Sequence, residues 1–338
     1  MAHSYSALSI SNSPMHANFP EAIQIAEPWL SVVIPVYKGE RWIAGALDSL
    51  AAQEIPGVEI LLIDGGPTTA AIDIARSYGD RLLLRIFQRS DLNSWVTKTN
   101  FAVNAAAASH VCWLGVDDVW LPGRAKAVRA WIGAAPYASL HLASSVLIDK
   151  TGRKLGCWRC PLPPNEMLSS ALVTERLLVQ NFVAAPAPVF RRDAWLRCGG
   201  LDERLWYAAD WDIWLKLANA GQVVYHDVPT IGFRVHRDSL TVTGSHDATE
   251  FELQMLTVLE RHLGKVAVPT SSFHKAARAS IVVNLALAAA AVGDLTGLPR
   301  AAWRILRLGP GGLRRYFRDS RVWERMSPRI RAMISGSF

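Results

Sequence analysis

The chain has 338 residues, half of them hydrophobic and 19% charged, with a formal net charge of +7. That supply of apolar side chains builds a large core and excludes a wholly disordered or collagen-like chain; the length fits about two domains, or one large α/β unit with additions. The charge is concentrated, because from Arg300 onward ten arginines and no lysine face only Asp319 and Glu324, so the rest of the chain is near neutral and no nucleic-acid partner is expected.

Residues 1–20 lack a basic start and an apolar stretch, so no secretory leader is expected. The longest apolar run, Ala279 to Gly293, has fifteen residues and is interrupted by Asn284, short of the ~20 that span a bilayer. A cytoplasmic protein, soluble or peripheral to a membrane, is the expectation. Cys157-Trp-Arg-Cys160 forms a CxxC, but zinc would need four ligands, and reduced cysteines of a cytosolic protein are the plainer reading. The thirteen tryptophans serve a core or offer flat faces to sugars or bases.

Residues 1–28 read as a weakly structured extension. Leu30 to Tyr37 is a β-branched apolar run suited to a strand buried on both faces. Glu40 to Ala52 has helical spacing, with Trp42, Ile43, Ala46, Leu47 and Leu50 on one side. Val58 to Ile63 is the next strand, stopped at Asp64-Gly-Gly-Pro67. A helix over 68–78, a strand over 81–88, a helix over 96–108 and a strand over 111–114 follow, the last ending near Asp117-Asp118. Strand–helix alternation with short links predicts a mostly parallel sheet flanked by helices. Ligands of such sheets sit beyond the carboxyl ends of the strands, so Asp64, Asp117 and Asp118 are expected in one crevice. Residues 121–265 mix elements less regularly, with a strand at 140–148, a turn at Asp149-Lys-Thr-Gly152 and a helix at 210–220. From His274 the chain reads as helices, with Pro299 opening a basic amphipathic one and Gly309-Pro-Gly-Gly312 ending it.

Four constellations carry chemistry. Adjacent carboxylates such as Asp117 and Asp118 are costly unless a cation or hydrogen bonds neutralise them; a hard divalent metal does so, and a turn-and-cap pair is the plainer alternative. Pro122 is placed to open the next helix. Asp64 can accept from a ligand beside glycines that admit close approach, or simply belong to a turn; the pattern is not GxGxxG. Asp210 and Asp212 cannot share a helical face, so one is expected at a site while the other caps the helix or faces solvent. Arg234 and His236 suit a diphosphate or a metal, with a structural histidine as the alternative.

In order and spacing, Ser31-Val-Val-Ile-Pro-Val-Tyr37, Ile63-Asp-Gly-Gly66, Leu114-Gly-Val-Asp-Asp118 with Pro122-Gly-Arg124, and Asp210-Trp-Asp-Ile-Trp-Leu215 resemble the family 2 glycosyltransferases of GT-A fold across residues 29–245. The resemblance implies a Rossmann-like GT-A catalytic domain over 29–265, its nucleotide-sugar half at 29–120 and its acceptor half at 121–265, followed by a helical basic region at 266–338. It implies an inverting transferase that moves a sugar from a nucleotide-diphospho-sugar, with uracil expected as the base, to a hydroxyl of a saccharide or lipid-linked acceptor, in the manner of cell-envelope polysaccharide synthesis. Pro35, Tyr37 and Glu40 match the base pocket, Asp64 the carboxylate that reads the base, and Asp91 with Asn100 the stretch that closes over the donor. Asp117 and Asp118 match the carboxylates for ribose and for Mg²⁺ or Mn²⁺; Arg234 and His236 match the late loop over the diphosphate, His236 as a further metal ligand. Asp210 matches the general base, with Trp211 beside it and Trp206 as a second sugar platform.

Three positions depart from the pattern: Gly115 stands where the family usually has Asp, Ala209 where it usually has Glu, and Asn93 where a Gly is common. A non-catalytic relative is one alternative reading. A nucleotidyltransferase is another, though Val36-Tyr-Lys-Gly-Glu40 lacks the Gly-rich, cation-bearing loop a triphosphate needs. The basic region suits either an anionic membrane surface or a helix packed on the domain with arginine stems over apolar surface.

Overall fold

The computed structural model describes residues 27–239, 247–266, 271–291 and 293–334; all but the last two residues of the expected N-terminal extension lie outside them. The nucleotide half alternates as expected: β1 (Leu30–Val36), α1 (Ile43–Ala51), β2 (Val58–Asp64), α2 (Ala70–Arg76), β3 (Leu83–Gln88), α3 (Trp95–Ala105) and β4 (His110–Trp113). Strands β3, β2, β1 and β4 are neighbours and parallel. The inner strands are buried almost throughout while edge strand β3 is half-exposed, as the near-continuous Val, Ile and Leu of β1 and β2 require. Helix α3 starts at Ser94 with a capping box to Thr97. It stops short of the expected 108 because the Glu59 carboxylate takes the backbone N–H of Ala107 and Ala108.

The second half continues the sheet with β5 (Val119–Trp120), α4 (Arg124–Ala134), β6 (Leu140–Ile148), β7 (Lys154–Trp158), β8 (Met167–Leu168), α5 (Ser170–Val179), β9 (Val189–Arg191), α6 (Arg192–Arg197), α7 (Ala209–Ala220) and β10 (Val223–Arg234). Strand β9 lies antiparallel between β4 and β6, while β6 and β10 are again parallel. The sheet is therefore mixed, in the order β3-β2-β1-β4-β9-β6-β10-β5. Pro122 does not open α4; Gly123, with φ +82°, precedes it, and Arg124 is fully buried, donating to Thr230 and to the carbonyls of Pro186 and Ala187. The Asp149 turn closes the β6–β7 hairpin as expected, its carboxylate accepting from Thr151 and Arg153.

Both sheet faces are covered. One core is centred on Trp113, whose ring stacks on Trp214 at 4.7 Å and meets Trp95, Phe190 and Trp195 edge-on. The C-terminal region is helical: α8 (Ala248–Leu263), α9 (Ser271–Ala291), α10 (Leu298–Leu306), α11 (Gly309–Ser320) and α12 (Val322–Ile334). Helix α9 packs on α5 and α8, α10 and α11 pack on α9, and α12 packs on β7. Gly309-Pro-Gly-Gly312 starts α11 instead of merely ending α10: Gly309 turns the chain at φ +68°, and proline is tolerated in a first turn whose N–H groups have no intrahelical partner. No helix among the described residues is long and apolar enough to cross a membrane.

Candidate active site

The loops after β1, β2 and β4 and the end of β10 meet at one edge of the sheet. Glu40 accepts from the Thr68 hydroxyl at 3.0 Å, joining the first two loops. Asp64 is buried and caps its own turn, accepting from Gly66 N–H at 2.7 Å. Tyr37 stands 58% exposed beyond β1, and half-buried Pro35 precedes it. Lys98, on α3, lies beneath this rim: its ammonium donates to the Val36 carbonyl at 2.8 Å and sits 5.3 Å from the Tyr37 ring. Burial pulls the Lys98 pKa down while the Asp64 charge supports it. A side chain at Gly65 would collide with Lys98, since a Cβ there would lie 2.6 Å from Lys98 Cε.

Asp117 and Asp118 follow β4, as their spacing predicted. Asp118 is buried and accepts from the Arg234 backbone N–H at 2.8 Å. Burial first, and the Asp117 charge second, push its carboxyl well above the usual range. Asp117 Oδ2 lies 2.8 Å from His236 Nε2. The free oxygens of the two carboxylates turn toward each other over Gly115, where a Cβ would lie 2.8 Å from Asp117 Oδ1 and 2.5 Å from Asp118 Oδ2. Gly115 thus leaves the space into which both carboxylates fold, and the residue that departs from the family pattern is the one that makes this arrangement possible. Paired oxygens whose repulsion a cation would relieve fit a hard divalent ion, which also takes water or phosphate oxygens. Among the described residues no three His, Cys, Asp or Glu side chains are already grouped as a metal site; what the residues present is the close pair, with His236 against Asp117.

Arg234 is not a loop residue over a diphosphate. It ends β10, is buried, and donates to the carbonyls of Asp117 and Asp149, so it braces the carboxylate loop. Its guanidinium lies 4.8 Å from the Trp42 ring centroid, with the His236 ring 5.2 Å away. Trp42 therefore belongs to the site wall and not to the apolar side of α1.

Asp210 lies in the first turn of α7. Its carboxylate accepts from Asn181 Nδ2 at 3.1 Å and from the Trp211 N–H at 2.7 Å. Burial raises its pKa to about 6 against both hydrogen bonds. Asp212 neither caps nor faces solvent: it is fully buried, 2.8 Å from His262, 2.9 Å from Arg261 and 2.7 Å from Lys216. Trp211 is no sugar platform either, because its ring is buried and its N–H donates to the Leu177 carbonyl. Half-buried Trp206 stays at the surface, its N–H on Glu250. Asn100 is spent on packing, holding both the carbonyl and the N–H of Leu201. It lines a polar cleft of about 570 Å³ with Asp202, Arg204 and Arg261, away from the carboxylate pair. Asp91 lies on the outer rim in a bidentate pair with Arg89. Of the cysteines, Cys157 and Cys160 are free, as are Cys112 and Cys198.

Lys98, Trp42 and Asn181 are the site residues that sequence reasoning missed. Lys98 precedes buried Ala102 by one turn, which marks it as facing inward, and Trp42 follows Glu40 within the same rim. Asn181 carries no local signal.

A mixed sheet flanked by helices, with paired carboxylates beyond β4 and a separate carboxylate opening a helix, has the GT-A architecture. The same fold is seen in S. aureus TarS 1–349 in complex with UDP-GlcNAc (TM-score 0.53, 16% identity, 91% of this chain and 92% of that one). It is also seen in the mannosyltransferase PcManGT from Pyrobaculum calidifontis in complex with GDP-Man and Mn²⁺ (TM-score 0.51, 16% identity, 91% and 87%). Residues 31–154 match the glycosyl transferase family 2 model. An uncharacterised glycosyltransferase of Rickettsia prowazekii is 24% identical over 231 residues, 68% of this chain and 70% of the relative. A PGL/p-HBAD biosynthesis glycosyltransferase of Mycobacterium tuberculosis is 27% identical over 190 residues, 56% of this chain and 69% of its own length. The chain is thus similar to the family 2 glycosyltransferases over residues 31–154, and its sequence relatives are named glycosyltransferases.

Proposed function

We propose that the protein transfers a sugar with inversion from a nucleotide-diphospho-sugar, a UDP-sugar by preference, to a hydroxyl of a saccharide or lipid-linked acceptor, at the cytoplasmic face of a membrane. The observation that carries this reading is the separation of two kinds of carboxylate. Asp117 and Asp118 form a close pair suited to a cation, whereas Asp210 stands apart with its pKa raised to about 6. Mg²⁺ or Mn²⁺ bound there would supply Lewis-acid neutralisation of the leaving diphosphate. Asp117 and Asp118 would hold that cation, with Arg234 and His236 bracing the two carboxylates. Tyr37, Glu40 and Asp64 face the nucleotide, with Lys98 beneath as a cation that fixes the end of β1. Asp210, ionised above about pH 6 and oriented by Asn181, takes the proton from the acceptor hydroxyl as it attacks; a base at this pKa is strong enough to accept that proton while remaining ionised at neutral pH. Trp206 offers the acceptor an apolar face. UDP-GlcNAc and GDP-Man bound to structures of the same fold support the donor class, and the four free cysteines fit a reducing compartment.

Asp210→Asn tests the assignment. Transfer is expected to fall by roughly 10²–10⁴, the usual share of a general base, while binding of the nucleoside diphosphate is retained. Retention of full transfer by this variant would remove Asp210 from the mechanism.

A further inference from the structure

Of the ten C-terminal arginines, nine divide into two groups, and the tenth, Arg314, is exposed on α11. Arg315 and Arg321 pair with Glu175 and Glu324, and Arg318 with Asp319. Arg325 and Arg329 lie near the Trp158 ring, and Arg331 donates to the Leu155 carbonyl. These hold α11 and α12 on the domain. Arg300, Arg304 and Arg307 are exposed, and among the described residues none of them pairs with a carboxylate. The nearby acid, Asp294, is occupied by the N–H and hydroxyl of Thr296.

Arg300 and Arg304 belong to α10 and Arg307 is its C-cap, and the faces of this segment sort by chemistry. Ala301 and Leu308 are buried, and Leu298 and Ile305 partly so, on the side that packs on α9. Pro299, Trp303 and Leu306, at i, i+4 and i+7, form an exposed apolar stripe, with Trp303 60% and Leu306 67% accessible. Leu295, just before the helix, is as exposed. Arg300, Arg304 and Arg307 form the adjacent stripe at the same spacing, and Arg307 lies 6.0 Å from the Trp303 ring centroid.

We infer that α10 docks this face onto an anionic lipid surface. An apolar stripe beside a cationic one, with tryptophan at the border, is what a helix lying in the headgroup plane requires: the stripe enters the acyl boundary and the guanidinium groups meet lipid phosphates. A second copy of the chain is the poorer occupant, because a two-fold interface sets the patch against itself and would oppose unneutralised arginines. The inference goes beyond the transferase reading and its test measures no transfer, so either can fail alone.

The full chain is sedimented with vesicles of phosphatidylcholine alone and of phosphatidylcholine mixed with phosphatidylglycerol. Binding is expected only to the mixed vesicles and weakens with salt. The Arg300→Ala/Arg304→Ala/Arg307→Ala variant is expected to bind about a hundredfold more weakly, and Trp303→Ala/Leu306→Ala to lose the part that survives high salt. Both replace exposed side chains, so unchanged circular dichroism and melting accompany the loss. Failure of the wild type to sediment with the mixed vesicles, or equal sedimentation of the triple variant, overturns the inference. So does a concentration-dependent dimer that Trp303→Ala/Leu306→Ala abolishes while vesicles are ignored.

Discussion

Asp210 and Asp212 are two residues apart in one helical turn and meet opposite fates. The helix sends them to different faces, and on one face burial meets only an amide and a peptide N–H. On the other, burial would also raise the pKa, but His262, Lys216 and Arg261 together hold it below the usual carboxylate range. The proposed base therefore sets an acid limb: kcat/KM rises through about pH 6 and is flat above. Asn181 donates to the ionised form, so Asn181→Ala moves that limb to higher pH, a shift that a purely structural asparagine would not produce. The choice of Asp210 as the proposed base came only through the family pattern, because spacing alone separates the faces without saying what waits on each. The placing of the Asp117/Asp118 pair beyond a buried strand was legible from the residues themselves, but spacing left a cation site and a turn-and-cap pair as equal readings. Lys98 was not legible, because a lysine in a helix ordinarily reads as a solvated face.

Among elements, the join between α7 and α8 is the one most exposed to a single change. Asp212 is fully buried and answers Arg261 and His262 of α8 as well as Lys216 of its own helix. Removing one partner of such a cluster leaves uncompensated buried charge, so Asp212→Ala is expected to cost about 3–5 kcal/mol in denaturant unfolding. A depressed carboxylate contributes stability that is present above its unfolded pKa and lost as pH falls through the folded one. The wild-type advantage over the variant therefore shrinks in acid. Strands β1, β2 and β4 were readable because burial on both faces leaves nearly uninterrupted apolar runs. The start of α11 was not, because Gly309-Pro-Gly-Gly312 reads as a breaker, and only packing on α9 shows that a helix begins there. Insertion of β9 between β4 and β6 was equally hidden, since three residues carry no pattern.

For the whole molecule, the described helices after residue 266 are packed on and hydrogen-bonded to the sheet domain. Arg325 of α12 donates to Asn284 of α9 at 3.2 Å, and Asn284 to Gln180 at 3.1 Å. Gln180 in turn donates to the carbonyl of Asn181, the residue that holds Asp210. Of the two readings of the basic region, packing on the domain holds for α11 and α12, while α10 packs on α9 and keeps a basic and apolar face outward. Residues up to 120 contribute the carboxylate pair and the second half Asp210, the proposed base, so the proposal stands on a donor held at Asp117 and Asp118.

The most direct test is the thermal stability of the full chain with UDP, GDP, TDP or CMP, each with and without Mn²⁺. A ligand at a hundredfold excess over its Kd stabilises the folded state by about 2.7 kcal/mol. One nucleoside diphosphate, UDP by preference, is expected to raise the melting temperature only with metal. The rise should vanish in Asp118→Asn and in Gly115→Ala, where a methyl group fills the space between the carboxylates, and persist in Asp210→Asn. Stabilisation that ignores metal or survives Asp118→Asn, or none from any nucleotide, would contradict a donor site at this pair.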